Sequence, residues 1–393
     1  MAKKKKRKLT PKQKLMQRAI KFRIYPDTEQ ETLIGKTVGC CRFIWNKMLE
    51  DEETFYVATD KCYIPTPAKY KKEFPFLKEA DSLALANTQI ALQNSFKGFF
   101  DKRTNYPNFK SKKKSRKSYT TNCQYPKNGK PSIRFIKGGI HLPILGDVEA
   151  KIYRFPKKGW KLKSATISQS KSGKYYCSLL FEFVFAVPDT VIPTLDSTIG
   201  LDYSSPSFYV DDKGNSPEKK RWFREMEDKL AKLQRQLSHM EYGSSNYKKQ
   251  LKKIQLCHEK IANQRKDFAH KESRRIANAF NLVCVEDLNL ATLAKSLKLG
   301  KSTLDNGFGM FRTFLEYKLN EQGKDLIKID KWFSSSKTCS FCGHIYKELT
   351  LSDRFWVCPI CGEFLLRDDN AAINIKREGY RLFFETLNSL IAA

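Results

Sequence analysis

Four cysteines constrain this chain more than any other feature. Cys339, Cys342, Cys358 and Cys361 follow C-x2-C-x15-C-x2-C. Each pair can grip one ion through both thiolates, and two pairs complete a tetrahedron with no open position, the pattern of a structural zinc site. Gly343 and Gly362 follow the pairs, where a tight knuckle needs a permissive backbone. The expected product is a small ribbon with Phe355 and Trp356 as its core and His344 as a surface residue, since a fifth ligand is not needed. With no linker between, the ribbon runs into RDDNAAINI: an arginine, two acids and the start of an amphipathic helix.

The other seven cysteines (Cys40, Cys41, Cys62, Cys123, Cys177, Cys257 and Cys284) stand alone or in apolar runs, as small core residues do. Eleven is an odd number, and the basic start MAKKKKRK has no apolar stretch behind it, so a reducing cytoplasm is expected rather than secretion. That start reads equally as an arm on nucleic acid or a nuclear-import tag. Lys and Arg number 73 against 42 acids, a formal charge of +31. Its natural counterpart is nucleic acid, which gains most through counterion release, with an anionic membrane surface as the alternative. A membrane span is not expected. The longest apolar run, YYCSLLFEFVFAV from Tyr175 to Val187, is too short, carries Glu182 and favours a strand.

With 393 residues, 40% of them hydrophobic, the chain has material for about two or three domains. QRAIKFRIY alternates as a strand, Pro26 ends it, and Asp27 opens a helical region that extends to about Phe100. FKSKKKSRKSYTTN, from Phe109 to Asn122, is a cationic loop followed by aromatic and hydroxyl side chains. Lys112, Lys113, Lys114, Arg116, Lys117, Tyr119, Thr121 and Asn122 are therefore candidate nucleic-acid contacts. Residues 132–187 contain five strand-like runs, a small antiparallel barrel or sandwich, and Pro188 to Pro193 marks a boundary. GLDYSSPSFYVDDKGN reads as two strands and a turn. Met226, Leu230, Leu233 and Leu237 form one helical seam, and Leu251, Ile254 and Ile261 a returning one, giving an αα-hairpin.

Three acids sit at the ends of apolar elements. Asp202 lies in Ile199-Gly200-Leu201-Asp202, Glu286 ends Val283-Cys284-Val285-Glu286, and Asp368 precedes the helix from Asn370. An acid in such a strand is costly to bury alone. Three brought together repel one another unless hard cations, Mg²⁺ or Mn²⁺, lie between them. Two such ions suit hydrolysis of a phosphodiester. Asp211 and Asp212 read as turn residues before Gly214, and Asp369 as a helix cap.

GLDYSSPSFYVDDKG, VCVEDLNL, WFSSSKTCSFCG and CPICG followed by RDDNAAINI occur in the order of the TnpB family, which the chain resembles. AIKFRIYPDTEQE and GCCRFIWNKML extend the resemblance over nearly its whole length. These are RNA-guided DNA nucleases of insertion sequences, related to miniature type V CRISPR effectors. The resemblance implies an α+β and α/β multidomain fold with a RuvC-like nuclease core of the RNase H type. Its implied parts are a basic arm and first wedge strand (1–25), a helical recognition lobe (26–118) and a β-barrel wedge (119–192). The nuclease core with its αα-hairpin (193–337), the zinc ribbon (338–362) and the end of the core (363–393) complete it.

The resemblance makes Asp202, Glu286 and Asp368 the metal-binding catalytic acids and places Arg367 near the scissile phosphate. Guide RNA and target double-stranded DNA are the implied partners, in a prokaryotic cytoplasm at the nucleoid. The chain departs from the family's D-R-D-x-N-A-A at Leu366, where the first acid is usual. A CRISPR-associated effector, or a guide-bound DNA-binding repressor, would share the same framework.

Overall fold

Alternation sets the first strand. In β1 (Gln13–Tyr25), Ile20, Phe22 and Ile24 face inward and their neighbours outward. The computed structural model describes residues 10, 12–218, 222–288, 307–350 and 352–392, so the basic start MAKKKKRK lies outside the described residues. The chain divides after Ala186 into two compact units.

In the first unit, Asp27 caps α1 (Thr28–Thr59). Its side chain accepts from the Gln30 N–H at 2.8 Å, and the Gln30 side chain accepts from the Asp27 N–H at 3.1 Å, a full capping box. Ile34, Cys41, Ile44 and Met48 recur at helical spacing and form the buried seam. A short α2 (Pro67–Tyr70) leads to α3 (Ser82–Phe100), capped by Asp81. The strands that follow are β2 (Ser118–Asn122), β3 (Arg134–Ile136), β4 (Gly139–Leu142), β5 (Gly146–Lys151), β6 (Lys161–Gln169) and β7 (Tyr175–Ala186). They make one antiparallel sheet in the order β2-β6-β7-β1-β5-β4-β3, with the chain's first strand in its middle.

The second unit is a mixed sheet with helices. β8 (Thr198–Ser204) turns back into β9 (Phe208–Asp211). The αα-hairpin follows as α4 (Trp222–Ser238) and α5 (Ser245–Ala279). Leu230, Ile254 and Cys257 are at its centre, with Met226, Leu233 and Leu237 against them. Next come β10 (Leu282–Glu286), α6 (Phe308–Asn320) and β11 (Asp325–Ile329). The sheet order is β11-β10-β8-β9, with β10 parallel to both β8 and β11. A two-stranded ribbon, β12 (Phe355–Val357) and β13 (Phe364–Leu366), leads without a break into α7 (Arg367–Ala392).

Of the seven separate cysteines, Cys40, Cys41, Cys177, Cys257 and Cys284 are buried. Cys62 is exposed and Cys123 half-buried, so those two are not core residues. Among the described residues no helix is long and apolar enough to cross a membrane.

Helix α7 lies directly on the sheet because a glycine lets it. A Cβ on Gly200 of β8 would fall 2.1 Å from the Ala372 carbonyl oxygen and 2.7 Å from the Lys376 nitrogen. On the helix side, a Cβ on Gly379 would meet the Cys284 sulfur of β10 at 2.3 Å. Gly200→Ala should therefore lower the melting temperature by roughly 5 °C or more, the cost of overpacking against backbone that cannot yield. Gly35→Ala in α1, where an added Cβ meets nothing within 4 Å, should be neutral or stabilising. Scanning calorimetry on both variants checks this.

Candidate functional site

Strand register brings two of the acids side by side. Val285 pairs with Leu201 across β10 and β8, so the next residues, Glu286 and Asp202, are level on adjacent parallel strands, whose spacing is about 4.8 Å. Asp368 arrives from α7. It lies four residues before Ala372, on the same helix face, and Ala372 is the residue pressed on Gly200. One helical turn rises about 5.4 Å, close to the roughly 6.6 Å that two strand residues span from Gly200 to Asp202. All three acids line one cavity of about 710 Å³, with the cations Arg367, Arg354 and Lys337 on its walls.

Burial and mutual repulsion shape their chemistry. Desolvation, followed by the charges of Glu286 and Asp368, pushes the Asp202 carboxyl well above the usual carboxylate range. Glu286 is also raised, chiefly by desolvation, although a hydrogen bond from the Ser335 hydroxyl opposes the shift. The Asp368 carboxylate is held by the Arg367 guanidinium at 3.1 Å. Glu286 and Asp368 are thus each held by a partner of their own. Among the described residues, only the four ribbon thiols form a set whose ligand atoms all lie within 4.8 Å.

The residues that hold this arrangement carry little signal in the sequence. Ser335 fixes Glu286. Asn370, buried at the start of α7, accepts from the Ser340 N–H at 2.8 Å and donates to the Thr338 carbonyl at 2.8 Å. Asn374, one turn on, donates to the carbonyls of Ser335 at 2.8 Å and Thr338 at 2.6 Å. The pair bolts the first knuckle and the Ser335 turn to the helix carrying Asp368; asparagines four apart on one helix face were the available clue. Asp212 lies in the expected turn but does more than turn the chain. Its side chain, 8% exposed, pairs with Lys376 of α7 at 2.7 Å and accepts from the Gly200 N–H at 3.2 Å. Asp211 does hold the turn, accepting from the N–H groups of Lys213 and Asn215. Asp369 lies inside the first turn of α7, beside Gly214, rather than at a cap.

The four thiols gather as their spacing requires, with Cys339 Sγ 3.6 Å from Cys361 Sγ and Cys342 Sγ 3.6 Å from Cys358 Sγ. Both knuckles share one hydrogen-bond plan. The Gly343 N–H donates to Cys339 O and the Gly362 N–H to Cys358 O, each at 2.9 Å, with φ of 78° and 75° at the two glycines. Desolvation opposes charge on Cys358, yet the N–H groups of Cys361 and Ile360 outweigh it and bring its pKa down to about 6. This donor set suits one tetrahedral zinc. His344 is half-buried and outside the cluster.

The ribbon core is Trp356 with Leu349 and Leu365, and Tyr346 stacks on the indole at 5.5 Å. Phe355 is not part of it. Phe355, Val357, Phe364 and Leu366 all lie on the outer face, 56–61% exposed for the first three and 50% for Leu366. The residue that departs from the family pattern therefore sits opposite Phe355 on an outer surface and does not line the acid cavity.

The basic stretch divides in two. Lys112, Lys113, Lys114, Arg116 and Lys117 are exposed. Tyr119 and Thr121 are not available as surface contacts: they alternate inward along β2, which pairs with β6, and are 6% and 1% exposed. Asn122 is half-buried.

Parts of the chain match described protein families. Residues 308–375 match the family described as "Cas12f1-like, TNB domain", residues 184–297 that described as "Probable transposase", and residues 16–61 that described as "Helix-turn-helix domain". In this chain the last of these holds most of β1 and one unbroken helix, α1. A Streptomyces pristinaespiralis protein named "Putative RNA-guided DNA endonuclease" is 34% identical, over 93% of this chain and 90% of its own length. Escherichia coli (strain K12) "Putative RNA-guided DNA endonuclease InsQ" is 30% identical over 92% of each. The structure titled "Cryo-EM structure of the Cas12f1-sgRNA-target DNA complex" shares the fold, with a TM-score of 0.58 at 14% identity, over 92% of this chain and 99% of that one. These matches define a chain of the insertion-sequence OrfB class with a Cas12f1-like ribbon domain. It belongs to the TnpB family.

Two outcomes are expected. Because the Asp202 carboxyl is raised in the folded chain, its ionisation costs stability as pH rises from the ordinary carboxyl value of about 4. In chelating buffer Asp202→Asn should melt above the parent at pH 7, and the gap should close as pH falls toward 4. Cys358→Ser should release zinc, read by metal analysis of the purified protein, and lower the melting temperature.

Proposed function

We propose that this protein is an RNA-guided DNA endonuclease that hydrolyses phosphodiester bonds at Asp202, Glu286 and Asp368. The observation that carries the reading is the meeting of three acids from distant segments in one cavity, in a chain whose full-length relatives bear the names given above. The β11-β10-β8-β9 sheet with α7 serves as a RuvC-like core. The first unit provides a helical recognition lobe and, in its seven-stranded sheet, the wedge.

Half-buried acids that meet in one cavity are a site prepared for positive charge. Two Mg²⁺ or Mn²⁺ ions held there would neutralise the acids, polarise the phosphodiester and lower the pKa of an attacking water. The protein's own residues set the geometry. Asp202 and Glu286 are fixed by strand register, and Asp368 by the Gly200 contact. Arg367, paired with Asp368, faces the same cavity and is placed to meet a phosphate oxygen. One zinc in the four-thiol ribbon keeps the knuckles in place beside this helix. Base pairing with a guide RNA selects the target DNA, and the excess of cations supplies sequence-independent affinity. The guide's source, whether an insertion-sequence transcript or a CRISPR array, makes no demand on these residues.

The test is to purify the full chain, sequence the RNA that accompanies it, and supply a plasmid bearing the matching sequence with Mg²⁺. Linearisation is expected only with matched guide. Asp202→Ala should slow it on the order of a thousandfold, the several kcal/mol that metal-assisted hydrolysis supplies, with the accompanying RNA retained. Cleavage undiminished in Asp202→Ala removes these acids from the chemistry.

A further inference from the structure

One tryptophan stands apart from the others. Trp45, Trp222 and Trp356 are buried at 5–7% exposure, and Trp160 is stacked on Phe183 at 4.3 Å. Trp332 is 79% exposed. A single exposed ring is ordinary by itself, and only its setting says what covers it.

Its place in the fold indicates what does. β11 ends level with β10, since Ile329 pairs with Glu286 and accepts from the Asp287 N–H at 3.0 Å. Asp330 then builds a tight turn, its side chain accepting from the Trp332 N–H at 2.7 Å and its carbonyl from the Phe333 N–H at 3.1 Å. The turn returns the chain to Ser335, whose hydroxyl donates to Glu286. Three residues span at most about 11 Å, so the backbone of Trp332 is held close to that of Ser335. The indole is thus mounted on the same turn that positions a catalytic acid.

Charge completes the picture. Lys331 Nζ lies 4.9 Å from the Trp332 ring centroid and makes no ion pair among the described residues. Lys331, Lys328 and Arg312 line a second cavity of about 830 Å³, together with Asp287 and Asp330. Leu288 lines both this cavity and the one holding the three acids, so the two meet there. A flat exposed ring beside a cation is the pairing that binds unpaired nucleotides, base on ring and phosphate on amine.

We propose that Trp332 and Lys331 form a stacking platform that holds an unpaired DNA strand as it enters the acid cavity. Trp332 is a positioning residue: it presents the strand to the acids and takes no part in hydrolysis. The proposal rests on the nuclease reading for its role, but the binding itself does not.

The experiment uses the full chain in two assays. A short oligothymidylate should quench tryptophan emission in the parent protein, because the one widely exposed indole is the one that is covered. In Trp332→Ala that quenching should vanish and binding should weaken about tenfold, as expected for loss of one base–aromatic stack. Trp332→Phe should recover most of the affinity. In guide-directed cleavage, Trp332→Ala should be slower and Trp332→Phe close to the parent. Unquenched parent emission, or oligonucleotide affinity within twofold of the parent in Trp332→Ala, overturns the platform. Failure of cleavage in every protein, with quenching intact, instead strikes the nuclease reading and leaves the platform standing.

Discussion

Everything at the acid site depends on how closely α7 approaches β8. At Gly200 the helix backbone occupies space that any side chain would need. Strand register alone would bring Asp202 and Glu286 together, but the third acid comes from the far end of the chain. Only a helix resting directly on the strand delivers it at the right height. Lys376 and Asp212 reinforce the contact with a largely shielded ion pair, and Asp212 also accepts from the Gly200 N–H, joining helix, strand and turn at one point. Such a pair matters here more for fixing geometry than for net stability, since desolvating both charges offsets much of their attraction.

The second unit thus contains two opposite electrostatic designs. The thiol cluster is tight, with its sulfurs already at ligand spacing and backbone donors aimed at one of them. Among the carboxylates, Glu286 is held by Ser335 and Asp368 by Arg367, in a pocket where charge on Asp202 and Glu286 is unfavourable. The first arrangement suits a permanent structural ion. The second offers hard carboxylate oxygens, the donors that Mg²⁺ or Mn²⁺ prefer.

What the sequence made legible follows from how local each signal is. The cysteine pairs could be read from spacing because knuckle geometry is fixed within a few residues, down to the positive φ at Gly343 and Gly362. Asp202 and Glu286 were conspicuous as acids in apolar strands. The resemblance to a known family gave the third acid its phase. Non-local partners were invisible. SYTTN looked like the tail of a cationic loop, but its partner β6 lies more than forty residues on, and that pairing turns Tyr119 and Thr121 inward. Asp212 resembled its neighbour Asp211 until a lysine from α7 claimed it. Ser335, Asn370 and Asn374 carry only a faint signal. Beyond the four-residue spacing of the two asparagines, they matter because of the carbonyls and N–H groups that the fold brings to them.

Strand β13 ends at Leu366 and α7 begins at Arg367, so the ribbon and the helix carrying Asp368 share one continuous backbone. Disturbance in one is transmitted to the other without a slack segment to absorb it. Asn370 doubles the linkage by fastening the first knuckle to the same turn. A chelator or a thiol oxidant acting on the ribbon would then loosen the anchorage of Asp368 while leaving every carboxylate chemically intact.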